Sequence, residues 1–388
     1  MTGCMVGWAH TPFGKLDDED TESLIVRVAR EAVADAGIGF EDIDEIVLGQ
    51  YNNGFDPQGF PSSLALQADP ALRFTRTTHV ENACATGTAA IFQGLRSLEA
   101  KQARFVLAIG VEKMTAAERT RIPEILLSGS YVKEEAGIEG GFAGIFAQVA
   151  RAYFQRFGEQ SDAMARIAAK NHRNGSVNPY AHVRKDLGFD FCRAVSDKNP
   201  MVCDPLRRTD CSMVSDGAAA VVLTDTATAL GHEKAVIFRA AQQVNDFLPM
   251  SRRDVVLYEG PERAFRQAYE EAGVSVSDLD FAEVHDCFTI AELMIYEAMG
   301  LTPKGDGARA INEGWTEKGG RLPVNPSGGL KAKGHPIGAT GVSMHVVAAQ
   351  QLTGTADALQ VPGVELGAVF NMGGSGVANY TSLLERLR

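Results

Sequence analysis

The chain has 388 residues, of which 45% are hydrophobic and 22% charged, so it can bury a sizeable core and reads as roughly two to three globular domains. Its 37 Lys and Arg against 49 Asp and Glu give a net charge of −12, which lacks the positive footprint of a nucleic-acid binder. An anionic ligand would have to be met by positive groups gathered locally.

The N-terminus, MTGCMVGWAHTPFGKL, has neither a basic start followed by an apolar run nor a small-residue cleavage site, and no apolar run reaches membrane-spanning length. The six cysteines (4, 84, 192, 203, 211 and 287) contain no C-x-x-C pair, which argues against a structural zinc site or a redox motif. The last residues, ERLR, carry no peroxisomal tripeptide. The expectation is a cytoplasmic protein with reduced thiols, no metal, no membrane contact and no nucleic-acid partner.

In chain order, REAVADAGIGFEDIDEIVLGQ (30–50) predicts an amphipathic helix closed by Gly37, an acidic linker and a buried strand. HVENACATGTAAIFQGL follows, where an alanine-rich helix starts at or just after Cys84. A thiol there feels the positive end of the helix, which favours thiolate. Two readings fit: a nucleophile, or the small buried hydrophobe that most free cysteines are. The strand RFVLAIG comes next.

Residues 115–210 differ in character. GIFAQVARAYFQRFG and SDAMARIAAKNH predict helices, and a polar, turn-rich stretch with aromatics and arginines follows, which reads as an ordered lobe over a ligand site. SDGAAAVVLTD (215–225) reads as a small-residue turn entering a buried strand.

RQAYEEAGVSVSDLDFAEVHD (266–286) then repeats the helix, turn and strand of 30–50 at an offset of 266 − 30 = 236, with Gly273 in the place of Gly37. A looser second match pairs CATGTAA (84–90) with GATGVS (338–343), each followed by a helix and an apolar strand. The expected organisation is residues 1–114 as the first part of an N-terminal half, 115–210 as the lobe, 211–234 completing that half, and 235–388 as a similar βαβ-type half.

Within the second half, EVHDCFTIAE sets His285 and Cys287 two residues apart, on one face if the strand runs that far. GLKAKGHPIGATG surrounds His335 with glycines and a proline, fixing an imidazole on a rigid turn without matching either phosphate-binding fingerprint. FNMGGSGVANY ends a strand in a glycine turn whose N–H groups suit an anion, while the Met372 thioether cannot carry a proton. The remaining histidines read as surface or packed residues.

Taken together, the cysteine opening a helix, the G-H-P-x-G-x-x-G loop and the C-terminal glycine turn resemble the thiolase superfamily over nearly the whole chain. Most thiolases carry N-E-A-F where this chain has His285-Asp286-Cys287-Phe288, and C-x-G where it has Met372-Gly373-Gly374. Both departures resemble the sterol-carrier-protein-type branch. The resemblance implies an α/β thiolase fold of two similar halves in stacked α and β layers, with the lobe over the coenzyme A channel.

It also implies an acyl-CoA C-acyltransferase of lipid metabolism, with acyl-CoA and coenzyme A as substrates and no cofactor. Cys84 would be the nucleophile and His335 its base, Cys287 the second acid/base group in place of the C-x-G cysteine. His285 and His335 would form one oxyanion hole, and the N–H groups of Cys84 and Gly374 the other. A homodimer or dimer of dimers is expected. The competing expectations are a thiolase-like retro-aldolase or acyltransferase working with a partner subunit, and a non-catalytic acyl-CoA or lipid carrier.

Overall fold

The computed structural model describes residues 3–388; Met1 and Thr2 of the N-terminal stretch lie outside them. Among the described residues eleven strands are formed: β1 (Cys4–His10), β2 (Glu45–Gly49), β3 (Arg76–Val80), β4 (Phe105–Lys113), β5 (Met201–Cys203), β6 (Leu206–Arg207), β7 (Asp216–Thr224), β8 (Val236–Asn245), β9 (Phe281–Val284), β10 (Leu366–Gly373) and β11 (Ala378–Arg386). β5 and β6 make a small ribbon. The other nine form one sheet in the order β3-β2-β4-β7-β1-β8-β11-β10-β9.

The order reads the same from either end. On one side β2 lies parallel to β3 and β4, with β7 and β1 antiparallel inside them. On the other, β9 lies parallel to β10, with β11 and β8 antiparallel inside. A one-residue parallel bridge from Ala282 to Val324 stands where β3 stands in the first half. The halves join through the short antiparallel contact of β1 with β8.

The local signals behind the repeat are present. Gly37 and Gly273 end the helices Thr21–Ala36 and Glu259–Ala272 in left-handed conformation, with φ of 69° at both. Each is followed by a single 3-10 turn, Phe40–Asp42 or Val276–Asp278, and then by β2 or β9. The residues 216–224 form β7 as the small-residue pattern predicts, alternating between two cores. Ala219, Val221 and Leu223 join the larger core, and Ala218, Ala220 and Val222 join the one beneath the helix Thr21–Ala36.

Two helices cross at the centre of the larger core: Thr86–Glu99, which follows Cys84, and Ile337–Thr353, which follows His335. The second is apolar and buried around nearly its whole circumference, as a central helix must be. Their approach depends on glycine. A Cβ on Gly87 would lie 2.7 Å from the backbone nitrogen of Val342, and one on Gly341 would lie 2.2 Å from that of Thr88.

The lobe contributes the helices Gly141–Phe157 and Ser161–Gly175, which pack against the helix Thr289–Ala298. Phe146 stacks on Phe288 with centroids 4.4 Å apart, which fixes the lobe beside the His285–Phe288 segment.

Because backbone atoms face the missing Cβ, Gly87→Ala should overpack the helix crossing and cost about 1–3 kcal/mol. Urea unfolding followed by circular dichroism should give a lower midpoint at an unchanged m-value; an unchanged midpoint would show that the crossing yields.

Candidate active site

Cys84 is held on a strained turn. Ala83, just before it, has φ of 48°, unfavourable for a residue with a Cβ. The turn is pinned by the Asn82 N–H donating to Thr86 Oγ1 at 2.7 Å and by Asn82 Nδ2 donating to the Tyr380 hydroxyl at 2.7 Å. The Gly374 N–H, on a glycine with φ of 64°, and the N–H of Cys84 itself both point at the thiol.

His285 and Cys287 do not share a strand face. β9 stops at Val284, so alternation does not apply to them. The cause is Asp286, whose carboxylate is drawn out of the ladder to accept from the N–H groups of Leu330 (2.6 Å) and Lys331 (3.2 Å) and from Asn171 Nδ2 (2.7 Å). Asn171 also donates to Glu292 at 2.6 Å, and Glu292 pairs with Lys170 at 3.0 Å, all fully buried. Gly329 is needed beside this carboxylate, since a Cβ there would lie 2.3 Å from Asp286 Oδ2. Asp286 thus ties the segment bearing His285 and Cys287 to the loop bearing His335. The strip 211–214 reinforces the tie: the Ser212 N–H donates to the Cys287 carbonyl at 2.8 Å, and the His335 N–H to the Met213 carbonyl at 3.2 Å.

The Cys84 sulfur and one ring nitrogen each of His285 and His335 lie within 4.8 Å of one another. The rings meet edge to face, with centroids 5.1 Å apart. Cys287 lines the same cavity as Cys84 and His335. Sulfur with two imidazoles is also a ligand set for a thiophilic ion, which would cap Cys84.

Hydrogen bonds fix the two imidazoles in opposite tautomers. Asn371 donates through Nδ2 to His285 Nδ1 at 2.9 Å and to the Cys84 carbonyl at 3.1 Å, while its Oδ1 accepts from Thr88 Oγ1 at 2.8 Å. His285 Nδ1 is therefore the acceptor, and Nε2 carries the proton. Thr340 Oγ1 donates to the Pro336 carbonyl at 2.9 Å, so it can only accept from His335 Nδ1, 2.6 Å away. His335 Nε2 is left with a lone pair. Both Nε2 atoms are buried without a protein partner, one a free donor and the other a free acceptor.

Burial sets the protonation states. It pushes the Cys84 thiol up to about 12, outweighing the two N–H groups that lower it, so the helix-start preference for thiolate does not prevail here. Burial lowers His335 to about 3 and His285 well below its usual value, His335 adding to the shift at His285. Cys287 is held well above the ordinary thiol range, by burial first and then by Cys84. At neutral pH the resting site holds neutral thiols and neutral imidazoles.

Met372 occupies the strand-end position on β10, where its sulfur accepts from the Tyr258 hydroxyl at 3.6 Å. Asn371, its neighbour, is the residue sequence reasoning passed over; its place beside a glycine turn carried no signal of this role. The cavity at Cys84 has about 260 Å³, with Ile122, Pro123, Leu126, Phe142 and Phe288 among its mostly apolar walls. Ile122, Pro123, Val202 and the 211–214 strip also line an outer funnel of about 690 Å³ that bears Lys15, Arg119, His182 and Arg208.

The paired half-sheets, the two central helices and the meeting of their leading loops define an α/β protein of the thiolase fold. Residues 4–227 match the family described as "Thiolase, N-terminal domain" and residues 241–386 "Thiolase C-terminal domain-like". The chain belongs to the thiolase family, and its H-D-C-F segment goes with the sterol-carrier-protein-type branch. It is 35% identical to an acetyl-CoA acetyltransferase of Methanothermobacter thermautotrophicus, over 96% of both chains. It is 31% identical to human sterol carrier protein 2, over 97% of this chain and 71% of that one. Among solved structures, an Ltp2-ChsH2(DUF35) aldolase superposes with a TM-score of 0.84 at 21% identity, over 100% of this chain and 98% of the other. Human mitochondrial 3-ketoacyl-CoA thiolase superposes at 0.74 and 16%, over 100% and 99%.

Asn371→Asp should reverse the His285 tautomer, because a carboxylate can only accept from Nδ1–H. Nitrogen-15 histidine NMR would report the exchange directly, and retention of the proton on Nε2 would contradict the assignment.

Proposed function

We propose that the chain is an acyl-CoA C-acyltransferase that works through an acyl-Cys84 intermediate, in thiolysis of a 3-ketoacyl-CoA or in Claisen condensation with acetyl-CoA. The observation that carries this reading is the buried meeting of the Cys84 sulfur with one proton-accepting and one proton-donating imidazole. The names of the relatives, acetyl-CoA acetyltransferase among them, support it.

His335 Nε2 takes the Cys84 proton as the sulfur attacks the thioester or ketone carbonyl. Burial makes it a weak base, so transfer is driven by the negative charge developing beside it rather than by a standing thiolate. The oxygen of the tetrahedral intermediate is received by the N–H groups of Cys84 and Gly374. Cys287, a neutral thiol at rest, gives its proton in the first half-reaction to the departing coenzyme A thiolate or enolate, and in the second half-reaction its thiolate removes the proton from the α-carbon of acetyl-CoA, or from the coenzyme A thiol in the reverse direction. The enolate oxygen is held by His285 Nε2–H and by His335 once it is protonated. Nucleophile, bases and donors all come from the chain, so no cofactor is required beyond coenzyme A as substrate and product. Lys15, Arg119 and Arg208 at the funnel suit its phosphates on a molecule that is otherwise acidic.

The protein is further proposed to be a homodimer paired through β3. That strand is the outer edge of the sheet, and beside it Phe74 is 86% and Phe60 76% exposed, an apolar edge that calls for a partner. The six free thiols favour a reducing, cytoplasmic setting. Light scattering should give a dimer or a dimer of dimers, and a fully active monomer would refute the pairing.

Incubation with acetyl-CoA should add one acetyl group to the wild type, located at Cys84 by peptide mass spectrometry, and none to Cys84→Ala. Cys287→Ala should still acylate, because that half-reaction uses His335, yet lose turnover on the order of a hundredfold or more. Turnover near the wild-type rate would reduce Cys287 to a packed thiol.

A further inference from the structure

Cys84 stands between two cavities of unequal size. The larger, about 260 Å³, contains His335 and Cys287 and opens towards the funnel through the 211–214 strip. The smaller has room for only about 20 Å³ and is walled by Tyr51, Ala83, Leu126, Gly129, Phe142 and Ile337. No histidine and no second thiol lines it. Leu126, Phe142 and Ile337 line both cavities and form the partition.

A two-step transfer decides which cavity takes the acyl chain. While the acyl group waits on Cys84, the second substrate must reach it past His335 and Cys287, so the larger cavity has to be free. The retained chain can extend only into the smaller one. Roughly 10–15 Å³ of such space accepts one water-sized group, so about 20 Å³ accepts about one methyl.

The walls are stiff. The Tyr51 hydroxyl donates to the Ile125 carbonyl at 3.0 Å and meets Ser128 Oγ at 2.9 Å, and the Tyr51 N–H donates to Glu112 at 2.9 Å. Ile337 is fixed at the start of the central helix and is 1% exposed. Gly129 is confined beneath Tyr51, since even a Cβ there would lie 3.1 Å from the hydroxyl.

We propose that this pocket limits the group carried on Cys84 to acetyl, so that the substrate pair is acetyl-CoA and acetoacetyl-CoA and longer 3-ketoacyl-CoA thioesters are excluded; the inference rests on the acyl-transfer reading above. In cleavage, the Cys84 sulfur bonds to C3 of the ketoacyl chain and the C2–C3 bond breaks. Its electron pair becomes the enolate of acetyl-CoA, which takes the Cys287 proton at C2. Everything from C3 outward stays on sulfur, so a longer substrate would have to fit its whole tail into the small pocket. The chain-length limit therefore falls on the ketoacyl substrate in one direction and on the acyl donor in the other.

The test is the rate of Cys84 acylation by acetyl-, butanoyl- and hexanoyl-CoA, read by intact-protein mass spectrometry on the wild type and Leu126→Ala. The wild type should label with acetyl-CoA at least a hundredfold faster than with hexanoyl-CoA. Leu126→Ala joins the two cavities and should raise the hexanoyl-to-acetyl ratio at least tenfold. Equal labelling by both thioesters in the wild type would overturn the pocket assignment and leave the acyl-transfer reading standing. An unchanged ratio in Leu126→Ala would overturn the partition. Labelling by none of the thioesters would overturn the acyl-transfer reading itself, and this inference with it.

Discussion

The site depends on one contact, the crossing of the helices Thr86–Glu99 and Ile337–Thr353 through Gly87 and Gly341. Each helix belongs to a different half, and each is led by a loop that carries chemistry: Cys84 before one, His335 before the other. Side chains at the crossing would hold the helix axes apart, and the loops with them. Thr88 marks the coupling most directly. Its backbone nitrogen faces the bare Cα of Gly341, and its hydroxyl orients Asn371. The same packing that joins the halves therefore sets the hydrogen-bond direction on which the His285 tautomer depends.

Burial then gives these groups their character. A solvated thiol and imidazole would titrate near neutrality, and water would satisfy both ring nitrogens. Here desolvation keeps the thiols protonated and the imidazoles neutral, and each Nε2 has no protein partner. Unpaired buried polar atoms cost free energy, and a substrate that supplies the partners the protein does not recovers it on binding. The charged groups behind the site follow the opposite rule. Asp286, Glu292 and Lys170 are equally buried, yet each is hydrogen-bonded or paired, and together they hold the loops in register. Charges are spent on position, and neutral groups are left for reaction.

Much of this was legible in the sequence because it rests on short-range signals. The glycine caps at 37 and 273, the small-residue strand at 216–224 and the glycine-flanked His335 each state their conformation locally, and the offset between the halves is kept from helix through 3-10 turn to strand. The positions that were not legible are those set by tertiary contacts. Alternation could not reveal that β9 stops before His285, because the cause is an aspartate bonded to amides more than forty residues away. Nor could the helix-start rule reveal the state of Cys84, since desolvation depends on what covers the thiol. Asn371 escaped notice because an asparagine beside glycines reads as a turn residue, and only its three partners in space give it a role.

The proposed exchange of a C-x-G cysteine for Cys287 has a geometric basis in the sheet. β9 and β10 run parallel, and their register ends with Val284 opposite Phe370. One residue further, His285 comes beside Asn371, which is why those two side chains can bond at 2.9 Å. Met372 is the next residue of β10, and Cys287 stands on the loop three residues past the end of β9. A thiol that leaves the end of β10 can therefore be replaced from the loop after the neighbouring strand β9, with no change in the elements that carry Cys84 and His335. The vacated position needs filling without a competing acid. Methionine does this, its sulfur taking up the Tyr258 hydroxyl while offering no proton of its own. The price of the exchange is that the second thiol now hangs on a loop instead of a strand, and the buried Asp286 network beside it supplies the rigidity that the ladder would have given.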